Sequence, residues 1–555
     1  MSHLILPDLL YSAAKEFPHD GIGFIQPDKS ICFVTYPELL EQSLRILQGM
    51  QEIGIEAGDR IILSLGNSKE TIPAIWASFL GGVIPALLQP PLSFSEYNPA
   101  ADKAEKVFRI LDNPRVIISH EHLNNWVESK IPETNIVDIL NLVKEFGTPD
   151  IPKIGPNDLA LIQFSSGSTG DPKGVKLTHR NIISNMVDII EGIRLTHKDV
   201  SISWMPLYHD MGLIGFHITP TLVGCQQYLL DPVDFVKNPS LWLDNLSSKR
   251  CNITGCPNFG QALVNRHIAR KKNPEWDFSH VRIIFNGAEP ISTITMREFV
   301  ANLSMFGLQP VSMFPAYGLA EATLAVTFTS LEKEAEILRF QRIPLIGDGI
   351  AMLAKPENDC AIELVNLGKQ LTNCTVRIIG DDGNEVAEAT AGSVLVRGDN
   401  VSSGYFKHKE ATRQTFVNGW LHTGDLGFIY NGNLFIMGRQ KDVIFLNGNN
   451  FYCHDLEHVV SSLQGILSGK LIISAYFDPK EGSDKLLVFL VGSDNKSTRI
   501  LFARIKIHLM QTLGLFTNTF IPIKSNDIPR TSSGKIQRYK MVNRFLQGEF
   551  NVVRL

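Results

Sequence analysis

The stretch LALIQFSSGSTGDPKGVKLTHRNIISNMVDII, Leu159 to Ile190, decides how this chain is read. Leu159 to Phe164 is an apolar run of strand length, and Ile182, Ile183, Met186, Ile189 and Ile190 fall on one face of a helix. Between them lie Gly167, Gly170 and Gly174, the hydroxyl residues Ser165, Ser166, Ser168 and Thr169, and Lys173. The order is therefore strand, loop, amphipathic helix. Glycines let backbone N–H groups approach an anion closely, hydroxyls donate further hydrogen bonds, and lysine adds a full positive charge. A polyphosphate is the natural guest. The P-loop NTPase motif needs a lysine followed directly by Ser or Thr, whereas Lys173 is followed by Gly174. The plain alternative is a surface loop with no ligand.

The rest of the chain bounds that reading. With 555 residues, one hydrophobic core would be too few, so at least two domains are expected. Hydrophobic residues at 44% and charged ones at 20% place it among ordinary globular proteins. A formal net charge of -5 argues against nucleic acid as a partner. The densest basic run, Arg266 to Lys272, reads as a solvated helix face.

Cys32, Cys225, Cys251, Cys256, Cys360, Cys374 and Cys453 are scattered and odd in number, unlike a secreted disulfide framework. A reducing cytoplasm fits them. No second pair completes a zinc-binding spacing around Cys251 and Cys256. The N-terminus lacks a basic start and cleavage pattern, so no secretory signal is expected. Thr71 to Ser95 carries no charge and has the length of a membrane span, but Pro73, Gly81, Gly82, Pro85, Pro90 and Pro91 interrupt it. A helix followed by a buried strand is expected there instead.

Short apolar runs alternating with helical patterns, such as Arg60 to Leu65 and Val281 to Pro290, predict α/β layers with largely parallel strands. From about residue 375 to 437 the strands become closely spaced, with Gly, Asp and Asn turns. The expected fold class is α/β: a large N-terminal domain, 1–437, of layered α/β subdomains with a β-rich subdomain at about 366–437. A junction at 438–443 would lead to a small, mobile α+β domain, 444–555.

Further motifs follow the loop in order: NGAEP at Asn286 to Pro290, YGLAEAT at Tyr317 to Thr323, HTGDLG at His422 to Gly427, GRQKD at Gly438 to Asp442, and TSSGK at Thr531 to Lys535. Together with SSGSTGDPKGV they resemble the adenylate-forming superfamily of acyl-CoA synthetases, luciferases and peptide-synthetase adenylation domains. The wording WMPLYHDMGLIG, Trp204 to Gly215, and YGLAEATL is most similar to the fatty acyl-AMP ligases. The long stretch from Thr327 to Val365 resembles an insertion in that subgroup thought to hinder transfer to CoA.

The resemblance implies ATP and Mg²⁺ as cofactors and assigns roles residue by residue. Ser165, Ser166, Gly167, Ser168, Thr169, Gly170 and Lys173 would hold the β and γ phosphates, and Glu321 would lie near Mg²⁺, for which a carboxylate is a suitable hard ligand. Gly287, Ala288 and Glu289 match the adenine-pocket strand, and Tyr317 followed by Gly318 would offer a flat face to the base. Asp425 would accept from the ribose hydroxyls, with Arg439 adding a donor. Lys535 would be the mobile catalytic cation and Asp442 the hinge. His209 would gate the acyl pocket, beside Asp210, Met211 and Gly212.

The reaction implied is attack of a carboxylate on the α-phosphorus of ATP, giving acyl-AMP and pyrophosphate, then transfer to a separate acyl carrier protein or peptidyl carrier domain. No carrier attachment segment follows Lys535, so the carrier would be another chain. A fatty acid is expected. The alternatives are an acyl-CoA synthetase, an adenylation enzyme for an amino or aryl acid, and a catalytically idle nucleotide-binding scaffold.

Overall fold

The computed structural model describes residues 3–91, 93–94, 98–145, 148–165, 171–270, 275–358, 360–446, 449–466, 469–478, 483–530 and 536–554. The opening stretch folds differently from its sequence reading. Leu159–Ser165 pairs antiparallel with a second strand, Lys173–Thr178, in a register that sets Phe164 opposite Gly174 and Ser165 opposite Lys173. The helix His179–Ile193 begins only after that strand. The motif is strand, loop, strand, helix. Two lysines and a glycine in six residues hide the period-2 pattern of the second strand, yet Val175 and Leu177 are fully buried. The helix start is capped within itself: the Thr178 hydroxyl accepts from the Asn181 N–H at 3.1 Å, and the Asn181 side chain accepts from the Thr178 N–H at 3.0 Å. Its N-terminus is thus committed locally and set back from the loop. Gly174 serves packing, since a Cβ there would meet Ile162 at 2.7 Å and the Phe164 ring at 3.0 Å.

Thr71 to Ser95 follows expectation, with a buried helix Ser68–Leu80 and then a strand Ile84–Leu87. Among the described residues no helix is long and apolar enough to cross a membrane. The strand joins a parallel sheet in the order Ile84–Leu87, Arg60–Ser64, Arg115–Ile118, Ile136–Asp138. Ile84 and Ala86 share an apolar cluster with Ile162 and Phe164 of the hairpin. The sheet therefore backs the loop's first strand.

A larger sheet runs Lys369–Gln370, Ala325–Phe328, Met313–Gly318, Ile283–Asn286, Ile253–Gly255, Val200–Ser203, Gln226–Leu230, Gly21–Ile25, Ile31–Thr35. Its central strands are parallel and its edges antiparallel. Because these parallel strands run the same way, the carboxyl ends of Ile283–Asn286 and Met313–Gly318 open on one side, where ligands of α/β sheets bind. Antiparallel strands Cys374–Ile379, Gly392–Gly398, Trp420–Tyr430 and Asn433–Arg439 build the β-rich part.

The long stretch from Thr327 to Val365 contains a hairpin, Ile337–Phe340 with Ile362–Val365. Phe340 is fully buried, with its ring centroid 5.1 Å from Phe428 and 5.5 Å from Tyr430 and Phe435. Beyond Asp442 the chain has apolar clusters of its own around Leu456, Ile473, Val488, Phe502 and Phe520, and around Ile472, Phe489 and Met541. Its long helix Lys496–Leu513 starts at an Asn495 cap and ends at Gly514, whose φ of 63° suits glycine.

Candidate active site

A cleft of about 1230 Å³ runs from the hairpin of Leu159–Ser165 and Lys173–Thr178, past the ends of the parallel strands, to the C-terminal segment. Two polar clusters organise it. In the first, the Tyr317 hydroxyl donates to Asp425 Oδ2 at 2.6 Å and Arg439 Nε lies 3.0 Å from Asp425 Oδ1. Asp425 and Arg439 are register partners on adjacent strands, which fixes their meeting. Burial first, and the Asp425 charge second, push the Tyr317 hydroxyl well up, so it stays protonated and a donor. The Asp425 charge raises Arg439 further, so that group stays cationic.

In the second cluster the Tyr405 hydroxyl donates to Glu321 Oε1 at 2.8 Å, and Lys173 Nζ stands 5.2 Å from the centre of the Tyr405 ring. Burial, then Glu321, raises the Tyr405 hydroxyl. Glu321 sits on a 3-10 turn, Ala320–Ala322, held from the β-rich side: the Ser402 N–H donates to its carbonyl at 2.9 Å, and Asn400 Nδ2 donates to the Ala322 carbonyl at 3.1 Å. The same segment is sewn to the hairpin, since the Phe406 N–H donates to the Gly174 carbonyl at 2.7 Å. Lys173, Tyr405 and Glu321 thus form one line, built from three distant parts of the chain.

The backbone shapes the wall between the clusters. A Cβ on Gly287 would come within 2.6 Å of the Ala316 carbonyl oxygen, and one on Gly318 within 1.7 Å of that of Leu324. Neither position admits a side chain. Ala288 has a φ of 69°, uncommon for a residue with a Cβ, and Gly287, Ala288 and Glu289 all line the cleft. Beside them Asn286 is fully buried, and neither atom of its amide has a partner among the described residues.

His209, Asp210 and Met211 line the cleft at the start of the helix Met211–Ile218. His209 Nδ1 lies 2.7 Å from Asp210 Oδ1, which also accepts from the Met211 N–H at 2.7 Å. Gly212 is not among the lining residues: a Cβ there would meet the Pro206 carbonyl oxygen at 2.3 Å, so its place is a close backbone approach. Ile189, Phe216, Phe259, Leu263 and Phe328 also line the cleft, all within or against one apolar cluster.

Asp442 ends a short 3-10 turn, Gln440–Asp442, between strands Asn433–Arg439 and Val443–Leu446. Cys453 follows, and its thiol donates to the Asp442 carbonyl at 3.2 Å. Ser166, Gly167, Ser168, Thr169, Gly170 and Lys535 lie outside the described residues, and only the backbone of Ser165 is described. The residues flanking 531–535 do line the cleft: Arg530 and Ile536 form a β-bridge, and Arg538 Nη2 donates to Glu457 Oε2 at 2.6 Å.

Tyr405 escaped the sequence reading because its partner Glu321 lies 84 residues away and nothing in their spacing links them. Asn286 was within a recognised motif, but its orphaned amide is visible only once the strands are paired.

Residues 11–406 match the profile described as AMP-binding enzyme. The chain belongs to this family. Among relatives of this AMP-binding enzyme, a medium-chain-fatty-acid–[acyl-carrier-protein] ligase, TtuA of Teredinibacter turnerae, is 32% identical over 71% of this chain and 64% of its own. A structure from a study of fatty acyl-adenylate ligases of E. coli and L. pneumophila superposes with a TM-score of 0.89 at 28% identity, covering 98% of both chains. The adenylation and carrier unit of McyG with phenylalanyl-adenylate gives 0.88 at 31%, covering 99% of this chain and 84% of that one. The AMP-binding enzyme is an adenylate-forming ligase that activates an acid with ATP, with a large N-terminal and a small C-terminal domain, near the fatty acyl-AMP ligases.

Proposed function

We propose that this enzyme activates a fatty acid as acyl-AMP and passes the acyl group to the phosphopantetheine thiol of a separate carrier protein. The observation that carries the reading is one cleft lined both by the carboxylate Asp425, held by Tyr317, and by a cluster of apolar side chains. The apolar cluster in its lining suits an alkyl chain, and the engagement of Asp210 by His209 and the Met211 N–H weakens the amino-acid alternative. The TtuA relative is named for fatty acid and acyl carrier protein alike.

In the first step a carboxylate oxygen bonds to the α-phosphorus and the bond to the bridging oxygen of pyrophosphate breaks. Both reactants are anionic, so positioning and charge screening do the catalysis. Asp425, held by Tyr317 and Arg439, accepts from the ribose hydroxyls, and Tyr317 and Gly318 face the base beside Gly287, Ala288 and Glu289. Lys173 and the residues 165–170 hold the terminal phosphates, and Lys535 meets the charge gathering between the carboxylate and the α-phosphate. Glu321 fits a Mg²⁺ ligand, since Tyr405 engages only Oε1 among the described residues. Mg²⁺, when bound, would neutralise phosphate charge. In the second step the thiolate sulfur bonds to the acyl carbon and AMP departs. Between the steps the segment 444–555 turns about Asp442.

The carrier, in preference to CoA, is favoured by the hairpin within 327–365. Its following turn carries Arg342, which forms a buried bidentate ion pair with Asp455 and donates from Nε to the Cys360 carbonyl at 2.9 Å. The insert thereby grips the C-terminal segment that must move.

The test is mass spectrometry of products after incubation with ATP, Mg²⁺, CoA, a holo carrier protein and a panel of fatty, aryl and amino acids. Acyl-AMP and acyl-carrier from fatty acids without acyl-CoA is the expected result. Efficient acyl-CoA formation would instead make this a CoA synthetase.

A further inference from the structure

We propose that Lys103, on the helix Pro99–Ile110, is a second binding cation for the terminal phosphates of ATP and for the departing pyrophosphate. This rests on the adenylate-forming reaction above. The helix buries Ala101, Ala104, Val107 and Phe108 and carries Lys103 into the wall of the cleft that also holds Lys173. Lys103 Nζ donates to the Phe164 carbonyl at 3.1 Å. Phe164 is opposite Gly174, and the next pair, Ser165 with Lys173, is the last before the loop. Lys103 is therefore tied to the strand pair that ends at Lys173, and both lysines line the same cleft.

Their helix neighbour shows what a structural lysine looks like here. Lys106 is 3.2 Å from both Asp102 and Asp171, a closed ion-pair bridge. Among the described residues Lys103 makes no such bridge: its ammonium donates to a neutral carbonyl, and one ammonium can donate three hydrogen bonds. The charged groups around this face are Asp102, Glu105 and Lys106 on the helix, Asp171 and Lys173 on the hairpin side, and Lys540 on the helix Arg538–Leu546, which feels both Asp102 and Lys106. Burial pushes the Lys103 ammonium down to about 8, with no carboxylate offsetting it. A desolvated cation in a cleft wall is costly until an anion arrives. A polyphosphate in the cleft that Lys103 and Lys173 both line would be that anion.

The sign follows directly: an anion favours the charged form, so nucleotide binding near pH 8 draws a proton onto Lys103. Calorimetry of a non-hydrolysable MgATP analogue, in pH 8 buffers of different ionisation enthalpy, should show proton uptake by the wild type and none by Lys103→Gln. In ATP–pyrophosphate exchange, Lys103→Gln should raise KM for both ATP and pyrophosphate by about ten- to hundred-fold, leave KM for the acid unchanged, and be rescued by Lys103→Arg. Gln can still donate to the Phe164 carbonyl, so a purely structural tie would survive. Unchanged ATP and pyrophosphate KM in a folded Lys103→Gln, or no proton uptake by the wild type, would overturn the proposal while leaving adenylation intact. Absence of acyl-AMP with any acid in the wild type would instead remove the reaction on which it rests.

Discussion

Around Asp425 a phenol, a carboxylate and a guanidinium from three strands converge on the cleft. Around Phe340, by contrast, the rings of Phe428, Tyr430 and Phe435 close on a fully buried phenyl group. The first cluster has charged groups whose hydrogen-bonding capacity is only partly used within the protein. The second is held by ring packing. Polar capacity left unspent in a cleft can meet a substrate, whereas the hairpin around Phe340 spends its side chains internally, on ring packing and, at Arg342, on the buried ion pair with Asp455.

The comparison breaks or sharpens under mutation. Phe340→Ala has the largest expected effect: truncating a fully buried aromatic side chain costs about 3–5 kcal/mol. Limited proteolysis should cut the 327–365 stretch sooner and thermal unfolding should start earlier, with KM for ATP in single-turnover adenylation near wild type; equal protease resistance would mean the hairpin is held elsewhere. Next, Lys535→Ala should lower the rate of acyl-AMP formation by about 10²–10³ with ATP binding nearly intact, as expected for a donor acting on transition-state charge. An unchanged single-turnover rate would remove this lysine from the mechanism.

Asp425→Asn should follow. It leaves Tyr317 and Arg439 with a neutral acceptor, and the loss of a charge-assisted interaction is worth about 1.5–3 kcal/mol, read as a ten- to hundred-fold higher KM for ATP. Any fall in melting temperature should be smaller than for Phe340→Ala, because Asp425 is buried but Arg439 is half exposed and both partners keep a neutral acceptor. If stability fell and KM did not, Asp425 would belong with Phe340 as a structural residue. Tyr405→Phe is the mildest. It keeps the ring beneath Lys173 but removes the donor to Glu321, for about 0.5–1.5 kcal/mol, and a few-fold rise in the Mg²⁺ concentration needed for half-maximal adenylation should register it. No change in that requirement would separate Glu321 from the metal.

Much of the architecture was legible locally. Helix Ser68–Leu80 followed by strand Ile84–Leu87, the β-rich strands and the helix Lys496–Leu513 all follow from periodicity and from Gly and Pro punctuation. The second strand of the hairpin, Lys173–Thr178, was not legible. Its stability comes from pairing with Leu159–Ser165 and from the Tyr405 region laid beside it, and neither partner leaves a mark on residues 173–178 themselves.

The same division runs through the site. The sequence by itself determined which residue types are present and in what order, because carboxylates, lysines and glycines in motif wording carry their chemistry wherever the chain folds. Asp425 and Arg439 could be named that way. Only the tertiary structure decided that Tyr317 and Arg439 share one carboxylate, that Tyr405 joins Lys173 to Glu321, that Gly212 serves backbone packing, and that Lys103 is tied to the Phe164 carbonyl in the cleft wall. These depend on distances between segments far apart in the chain, on strand register and on which groups lose water, and those quantities exist only once the sheets are assembled.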